Sequence, residues 1–130
     1  MFSARAIAWT ALILAPIAPL AAQPATQVVP ATQIVNVWNF GFGPAPIHLH
    51  SGRPVTLAFV NRSGSSHDFT APAFFAAARA ANGAPLPSEI DLAPHQTRTV
   101  TLVPARGTYE AHCSHFLHRQ MGMHDSIIVD

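Results

Sequence analysis

Short segments of alternating apolar and polar residues, separated by proline and glycine, constrain the fold of this chain more than any other feature. The clearest are Val55–Asn61, which reads VTLAFVN, and Thr97–Val103, which reads TRTVTLV. A period of two places alternate side chains on opposite faces of a β-strand. Trp38, in the predicted strand Ile34–Phe40, is expected in the core. The other strands are predicted at Ile34–Phe40, Ile47–His50, Glu89–Leu92, Thr108–His112 and Ile127–Val129. Six or seven short strands at this spacing predict an all-β Greek-key β-sandwich.

One segment favours a helix. Pro72–Ala81 begins with a proline that suits the first helical turn, continues with alanines, and is followed by the stop signal Asn82-Gly83. We therefore expect one short helix in a connecting loop between strands.

The first 22 residues have the features of a secretory signal peptide. Arg5 precedes an apolar run that ends in small residues, and cleavage is expected after Ala22. Pro16 and Pro19 interrupt the run, which makes it a poor membrane span. The expected parts are a signal peptide over residues 1–22, a flexible leader over 23–33 and a folded domain over 34–130. The mature chain is expected in the bacterial periplasm, with no membrane span after cleavage.

The charge and cysteine content exclude several classes of protein. Lysine and arginine number seven against six acidic residues, and the formal net charge is +1. This balance gives no electrostatic basis for binding nucleic acid. The single cysteine excludes an internal disulfide and a cysteine-rich zinc site. Eight histidines beside one cysteine indicate a metal ion of another kind.

The last third of the chain contains the donors for such an ion. Cys113, His118 and Met123 follow one another at intervals of five residues, and His67 follows a predicted strand upstream. A thiolate, two imidazoles and a thioether are the ligand set of blue-copper electron-transfer sites. Coordination would also account for an unpaired cysteine in an oxidising compartment.

These residues resemble the cupredoxin family. The resemblance lies in a Tyr-x3-Cys-x4-His-x4-Met segment before the last strand and an Asn-x5-His-x-Phe segment upstream. It implies a cupredoxin-like sandwich of about eight strands and one mononuclear type 1 copper ion, held by His67, Cys113, His118 and Met123. It also implies a one-electron carrier rather than an enzyme. The expected partners are redox proteins, which would meet an apolar face of a monomer.

Two positions of the motif depart from the family or leave an alternative open. Asp68 stands where cupredoxins often have asparagine, and a hydrogen bond between Asp68 and Ser114 would link the two ligand loops behind the ligands. The added carboxylate is expected to lower the reduction potential. Met121 is a rival axial ligand to Met123, because it lies eight rather than ten residues after Cys113. The longer spacing favours Met123.

The remaining histidines keep a second class of function open. His48 and His50 point to the same face of a strand and form a candidate secondary metal site. Such a site would suit a copper delivery, storage or resistance protein with exchangeable copper, serving copper-requiring proteins. The strip from His112 to His115 is similar to that of multicopper oxidases, but Ser114 interrupts it. An oxidase is therefore not expected.

Overall fold

The computed structural model describes residue 16, residues 18–115 and residues 121–130, so most of the predicted signal peptide lies outside it. The described residues form ten strands and one short helix, α1 (Pro72–Ala77). The strands are β1 (Ala31–Trp38), β2 (Gly41–Gly43), β3 (Ile47–Leu49), β4 (Val55–Asn61), β5 (His67–Thr70), β6 (Arg79–Ala80), β7 (Glu89–Leu92), β8 (Thr97–Val103), β9 (Gly107–His112) and β10 (His124–Val129). The all-β prediction is confirmed.

Two five-stranded sheets form the sandwich. The first has the order β2-β1-β4-β8-β6 and the second the order β3-β10-β9-β5-β7. β1 runs parallel to β4 and β3 runs parallel to β10, while the other described pairs are antiparallel. Within the described residues, no helix has the length and apolarity needed to cross a membrane.

An aromatic cluster between the sheets holds β5 in place. Phe69 of β5 packs against Phe59 of β4, with ring centroids 4.7 Å apart, and against Phe42 of β2 at 5.3 Å. Phe75 of α1 approaches the same ring at 6.4 Å. Burial of a large apolar side chain contributes about 1.5–3 kcal/mol. This packing therefore fixes the strand that begins with His67.

Three predicted strands, β4, β7 and β8, have the bounds expected from the sequence. β1 begins at Ala31 rather than Ile34, because residues 31–33 pair in register with residues 55–57 of β4. The last residues of the expected leader therefore belong to the first sheet. β2 and β5 are strands that were not predicted from the sequence.

The prediction of a helix over Pro72–Ala81 is wrong at its C-terminal end. The helix ends at Ala77, and Ala78 has an extended backbone with ψ of 167°. Arg79 and Ala80 then pair with Val103 and Leu102 of β8. Pairing with the sheet edge overrides the helix preference of the alanine-rich segment.

Trp38 is not a core residue, contrary to the prediction, because 43% of it is exposed. Its indole ring lies against the glycines of β2. A Cβ atom placed on Gly41 would lie 2.7 Å from the indole nitrogen, and one on Gly43 would lie 2.7 Å from the ring carbon Cη2. The absence of side chains on both glycines thus gives the ring its surface position.

Candidate metal centre

Three of the four predicted ligands lie at one end of the second sheet. His67 begins β5, Cys113 follows β9, and Met123 precedes β10. The backbone N–H of Cys113 donates a hydrogen bond to the carbonyl of Met123 at 3.0 Å. This bond extends the β9–β10 ladder and closes the base of the loop between the two residues. The fourth predicted ligand, His118, lies outside the described residues.

The donor groups of Cys113 and His67 face each other in the protein interior. Cys113 and Met123 have no exposed surface, and His67 is 2% exposed. The Sγ atom of Cys113 and Nδ1 of His67 are 3.9 Å apart. Sulfur and nitrogen ligands bind ions such as Zn²⁺ at about 2.3 and 2.0 Å, so this separation leaves room for one ion between them. The soft donors and the space therefore fit copper.

Asn39, in the turn between β1 and β2, fixes the orientation of the His67 ring. Its side-chain oxygen Oδ1 lies 3.1 Å from Nε2 of His67. An imidazole that donates through Nε2 leaves the lone pair of Nδ1 free to bind a metal. Nothing in the local sequence indicated this role, because Asn39 reaches His67 only through the folding of one sheet onto the other.

Asp68 links the two segments that supply His67 and Cys113. Its carboxylate accepts hydrogen bonds from the backbone N–H of Ser114 at 2.9 Å and from the Ser114 hydroxyl at 2.6 Å. The Thr70 hydroxyl donates a third bond at 2.6 Å. The Asp68–Ser114 contact expected from the sequence is therefore present, and Thr70 is an addition that the sequence did not indicate.

Burial and hydrogen bonding act in opposite directions on the pKa of Asp68. Burial alone would raise it, but the hydrogen bonds from Ser114 and Thr70 outweigh that effect, and the pKa lies below its usual value. His115 contributes in the same direction, with its Nε2 atom 3.6 Å from the carboxylate. Asp68 therefore places a negative charge beside the candidate site.

The Cys113 thiol has a raised pKa, mainly because it is buried. The backbone groups of Asp68 and His115 act against burial, since their hydrogen bonds favour the thiolate. A metal ion that binds this sulfur would displace its proton.

Donor atoms of Asp68, Cys113 and His115 all lie within 4.8 Å of one another. His115 was not among the site residues predicted from the sequence. Its only signal was its position two residues after the cysteine. Asp68 already accepts short bonds from Ser114 and Thr70. The carboxylate is thus engaged in positioning the ligand segments.

The two candidate axial methionines differ in burial. Met121 is 55% exposed, whereas Met123 belongs to the buried core and is bonded through its carbonyl to Cys113. Burial beside the cysteine favours Met123 as the residue available to the centre.

The candidate secondary pair lies elsewhere. His48 on β3 and His50 just after it are both exposed on the outer face of the second sheet. Nδ1 of His50 is 2.9 Å from a carboxylate oxygen of Asp130. These residues do not approach the donors around Cys113.

Three solved structures of auracyanins are similar to this chain. Dithionite-reduced auracyanin from Roseiflexus castenholzii shares 21% sequence identity over 77% of this chain and 97% of its own, with a TM-score of 0.59. Auracyanin B shares 25% sequence identity over 80% of this chain and 92% of its own, with a TM-score of 0.57. Auracyanin A from Chloroflexus aurantiacus is described as a "blue" copper protein. It shares 19% sequence identity over 78% of this chain and 100% of its own, with a TM-score of 0.58.

A search of curated proteins finds no match to the chain. The family model for the cupredoxin-like domain, in contrast, matches residues 4–129, which is almost the full length. That match agrees with the two-sheet architecture and with the motif around Cys113. The chain therefore belongs to the cupredoxin-like domain family.

Proposed function

We propose that this protein is a one-electron carrier with a mononuclear type 1 copper site formed by His67, Cys113, His118 and Met123. The observation that supports it most is the 3.9 Å approach of the Cys113 sulfur to Nδ1 of His67, both buried, beside the buried Met123. Copper bound there would supply the chemistry by cycling between Cu(I) and Cu(II).

The protein itself restrains the positions of these donors and keeps water away from them. The β9–β10 ladder supports Cys113 and Met123, and Asp68 ties the cysteine segment to β5. Asn39 restrains the ring of His67. Ligands that cannot move far suit a centre whose electron transfer requires little rearrangement.

An exposed apolar surface beside the ligand loop supports docking of a redox partner. Trp38, Phe40 and Met121 are each more than two-fifths exposed. The carbonyl oxygen of Phe40 lies next to Gly122 of the ligand loop, 3.3 Å from where a Cβ would be. With charged residues at only 10% of the chain, we propose apolar, transient contact of a monomer with its redox partners.

We further propose that the protein works in the periplasm after removal of residues 1–22. The support is the apolar run after Arg5, which ends in small residues. The mass of the protein recovered from the periplasmic fraction tests this. A chain that begins at Gln23 is expected, and a full-length chain in the cytoplasmic fraction would contradict export.

The proposed centre is tested by adding one equivalent of Cu(II) to the mature chain. An intense thiolate charge-transfer band at about 600 nm is expected, and it should be absent in Cys113→Ser. Colourless copper that a chelator removes readily would contradict an electron carrier. That result would favour copper delivery or storage.

The axial ligand is tested by comparing Met123→Leu with Met121→Leu. We expect Met123→Leu to shift the visible spectrum and the reduction potential, because the axial ligand tunes the potential of such centres. Met121→Leu should leave both close to the unmodified protein. The opposite pattern would assign the axial role to Met121.

A further inference from the structure

At the end of the second sheet opposite Cys113 lie three side chains of kinds that can bind transition metals. They are His48, His50 and Asp130. β3 pairs in parallel with β10, with His48 beside Ile128 and Leu49 beside Val129. The ladder continues beyond the strands, because Asp130 donates its backbone N–H to Leu49 at 3.2 Å. Ser51 donates to the carbonyl of Asp130 at 2.8 Å. Asp130 is thereby fixed beside the end of β3.

Both histidines project from the outer face of the sheet. Ile47 and Leu49 are buried, whereas His48 and His50 are exposed. Alternate residues of a strand are about 7 Å apart along its axis, a spacing that two imidazole side chains can bridge around one ion. The register therefore directs two nitrogen donors and one carboxylate toward the same patch of surface.

Electrostatic contacts within the patch agree with this geometry. Nδ1 of His50 lies 2.9 Å from Oδ1 of Asp130, and this hydrogen bond lowers the pKa of the carboxyl group. His48 pairs with Ile128, two residues before Asp130 on the neighbouring strand, and it acts on the pKa of Asp130 in the same direction.

We propose that His48, His50 and Asp130 bind a second, divalent first-row transition-metal ion, separate from the centre at Cys113. Val129 pairs with Gly107, at the end of β9 opposite Cys113. Six residues at about 3.3 Å each separate the two sites by roughly 20 Å. The second site therefore needs none of the donors of the first.

The donor chemistry favours Cu²⁺ for this site. Two imidazoles and a carboxylate suit Cu²⁺, Ni²⁺ and Zn²⁺, and Cu²⁺ binds most tightly in that series. Arg53 lines the same surface cavity, of about 650 Å³, with His48 and His50. Its positive charge acts against ions held by charge alone, such as Ca²⁺ and Mg²⁺.

Some side-chain movement accompanies binding. Among the described residues, only Asp68, Cys113 and His115 have donor atoms all within 4.8 Å of one another. The exposed ring of His48 must therefore turn toward Asp130. Because it is exposed, this rotation meets little steric resistance, and the site is expected to be weaker and more exchangeable than the buried centre.

The test adds Cu²⁺ to the full mature chain that already holds one equivalent of Cu²⁺. Calorimetry is expected to show a second equivalent bound, and electron paramagnetic resonance to show that it has nitrogen ligands but no thiolate. The His48→Gln/His50→Gln double variant should bind this second equivalent at least ten-fold more weakly, with the first equivalent unchanged. Asp130→Asn should weaken it by a smaller factor.

His95→Gln provides the control, because it also removes an exposed histidine but lies in a different loop. It should bind the second equivalent like the unmodified chain. Equal affinity in the double variant and the unmodified chain would overturn the proposal, as would failure of the unmodified chain to bind a second equivalent.

The same comparison in the Cys113→Ser background separates this proposal from the proposed function. The difference between chains with and without His48 and His50 should persist there, although residue 113 no longer supplies a thiolate. Its disappearance would contradict an independent site. Far-UV circular dichroism of each variant confirms that it is folded.

Discussion

Asp68 determines the charge next to the proposed copper ion. Its carboxylate is buried and ionised, held by Ser114 and Thr70, and one oxygen lies 3.8 Å from the Cys113 sulfur. A negative charge at that distance stabilises Cu(II) more than Cu(I). The residue therefore positions the ligand segments and also biases the redox equilibrium.

Replacing Asp68 by asparagine is expected to raise the reduction potential. At an effective dielectric constant of about 20, two unit charges at this separation interact by roughly 4 kcal/mol. For one electron this corresponds to an upper limit of roughly 170 mV. Hydrogen bonds and His115 reduce the effect, so we expect a rise of tens of millivolts in a redox titration.

Asp91→Asn is the matched control, because Asp91 is exposed and lies directly opposite Asp68 on β7. Its potential should change little, since water screens an exposed charge. An unchanged or lower potential in Asp68→Asn would contradict the assigned role.

Asn39→Ala is expected to weaken copper binding by about 10–100-fold, the usual cost of losing a partner that orients a metal ligand. Without the bond to Nε2, the ring of His67 is free to rotate away from Cys113. Competition with a chelator measures the affinity. Asn36→Ala, three residues earlier on β1, is the control, because Asn36 bonds to Arg62 rather than to a candidate ligand. Equal losses in both variants would indicate a general loss of stability.

The grouping of His67, Cys113 and Met123 at one end of the second sheet was predictable from the sequence, because their spacing and chemistry are local properties of the motif. Ser114 was predictable as the partner of Asp68 for the same reason. Asn39 and Thr70 were not, since their roles depend on which strands lie side by side. His115 gave a signal only through its nearness to Cys113 along the chain.

At the scale of elements, segments with clear alternation were predicted well, including the four-residue β7, whereas β2 was not predicted as a strand. β4 and β8 have seven residues each and the predicted bounds. β2 has three residues, two of them glycine, so its sequence indicates a turn. Its strand geometry depends on pairing with β1 and on the indole of Trp38 that covers it.

Gly43→Ala is expected to destabilise the β1–β2 hairpin. The added methyl group would lie 2.7 Å from the Trp38 ring, and relieving such overpacking costs about 1–3 kcal/mol. Gly64→Ala is the control, because nothing lies within 4 Å of a Cβ at that position. Urea denaturation measures both, and Trp38 fluorescence should shift in the first variant only. Equal stabilities would show that the ring yields without cost.

At the scale of the whole molecule, the candidate ligands that the structure describes all belong to the second sheet or to its connecting loop. Copper there would cross-link β5 to the β9–β10 ladder, and a ligand that binds only the folded state stabilises it. Removing copper with a chelator is therefore expected to lower the melting temperature. At free copper about a thousand times the Kd, the loss corresponds to about 4 kcal/mol.

Cys113→Ser is the control for this measurement when one equivalent of copper is used. Its melting temperature should respond much less to the chelator, because the sulfur ligand is gone. The same melting temperature with and without copper in the unmodified chain would show that the ion does not stabilise the fold.

The bond between Asn39 and His67 joins different sheets, since Asn39 follows β1 in the first and His67 begins β5 in the second. A slip of one sheet against the other would pull on the imidazole before it disturbed the rest of the ligand set. The visible spectrum of copper bound at that ring would then change when the two sheets shift relative to each other. The aromatic core has no absorption band in the visible range that could report the same movement.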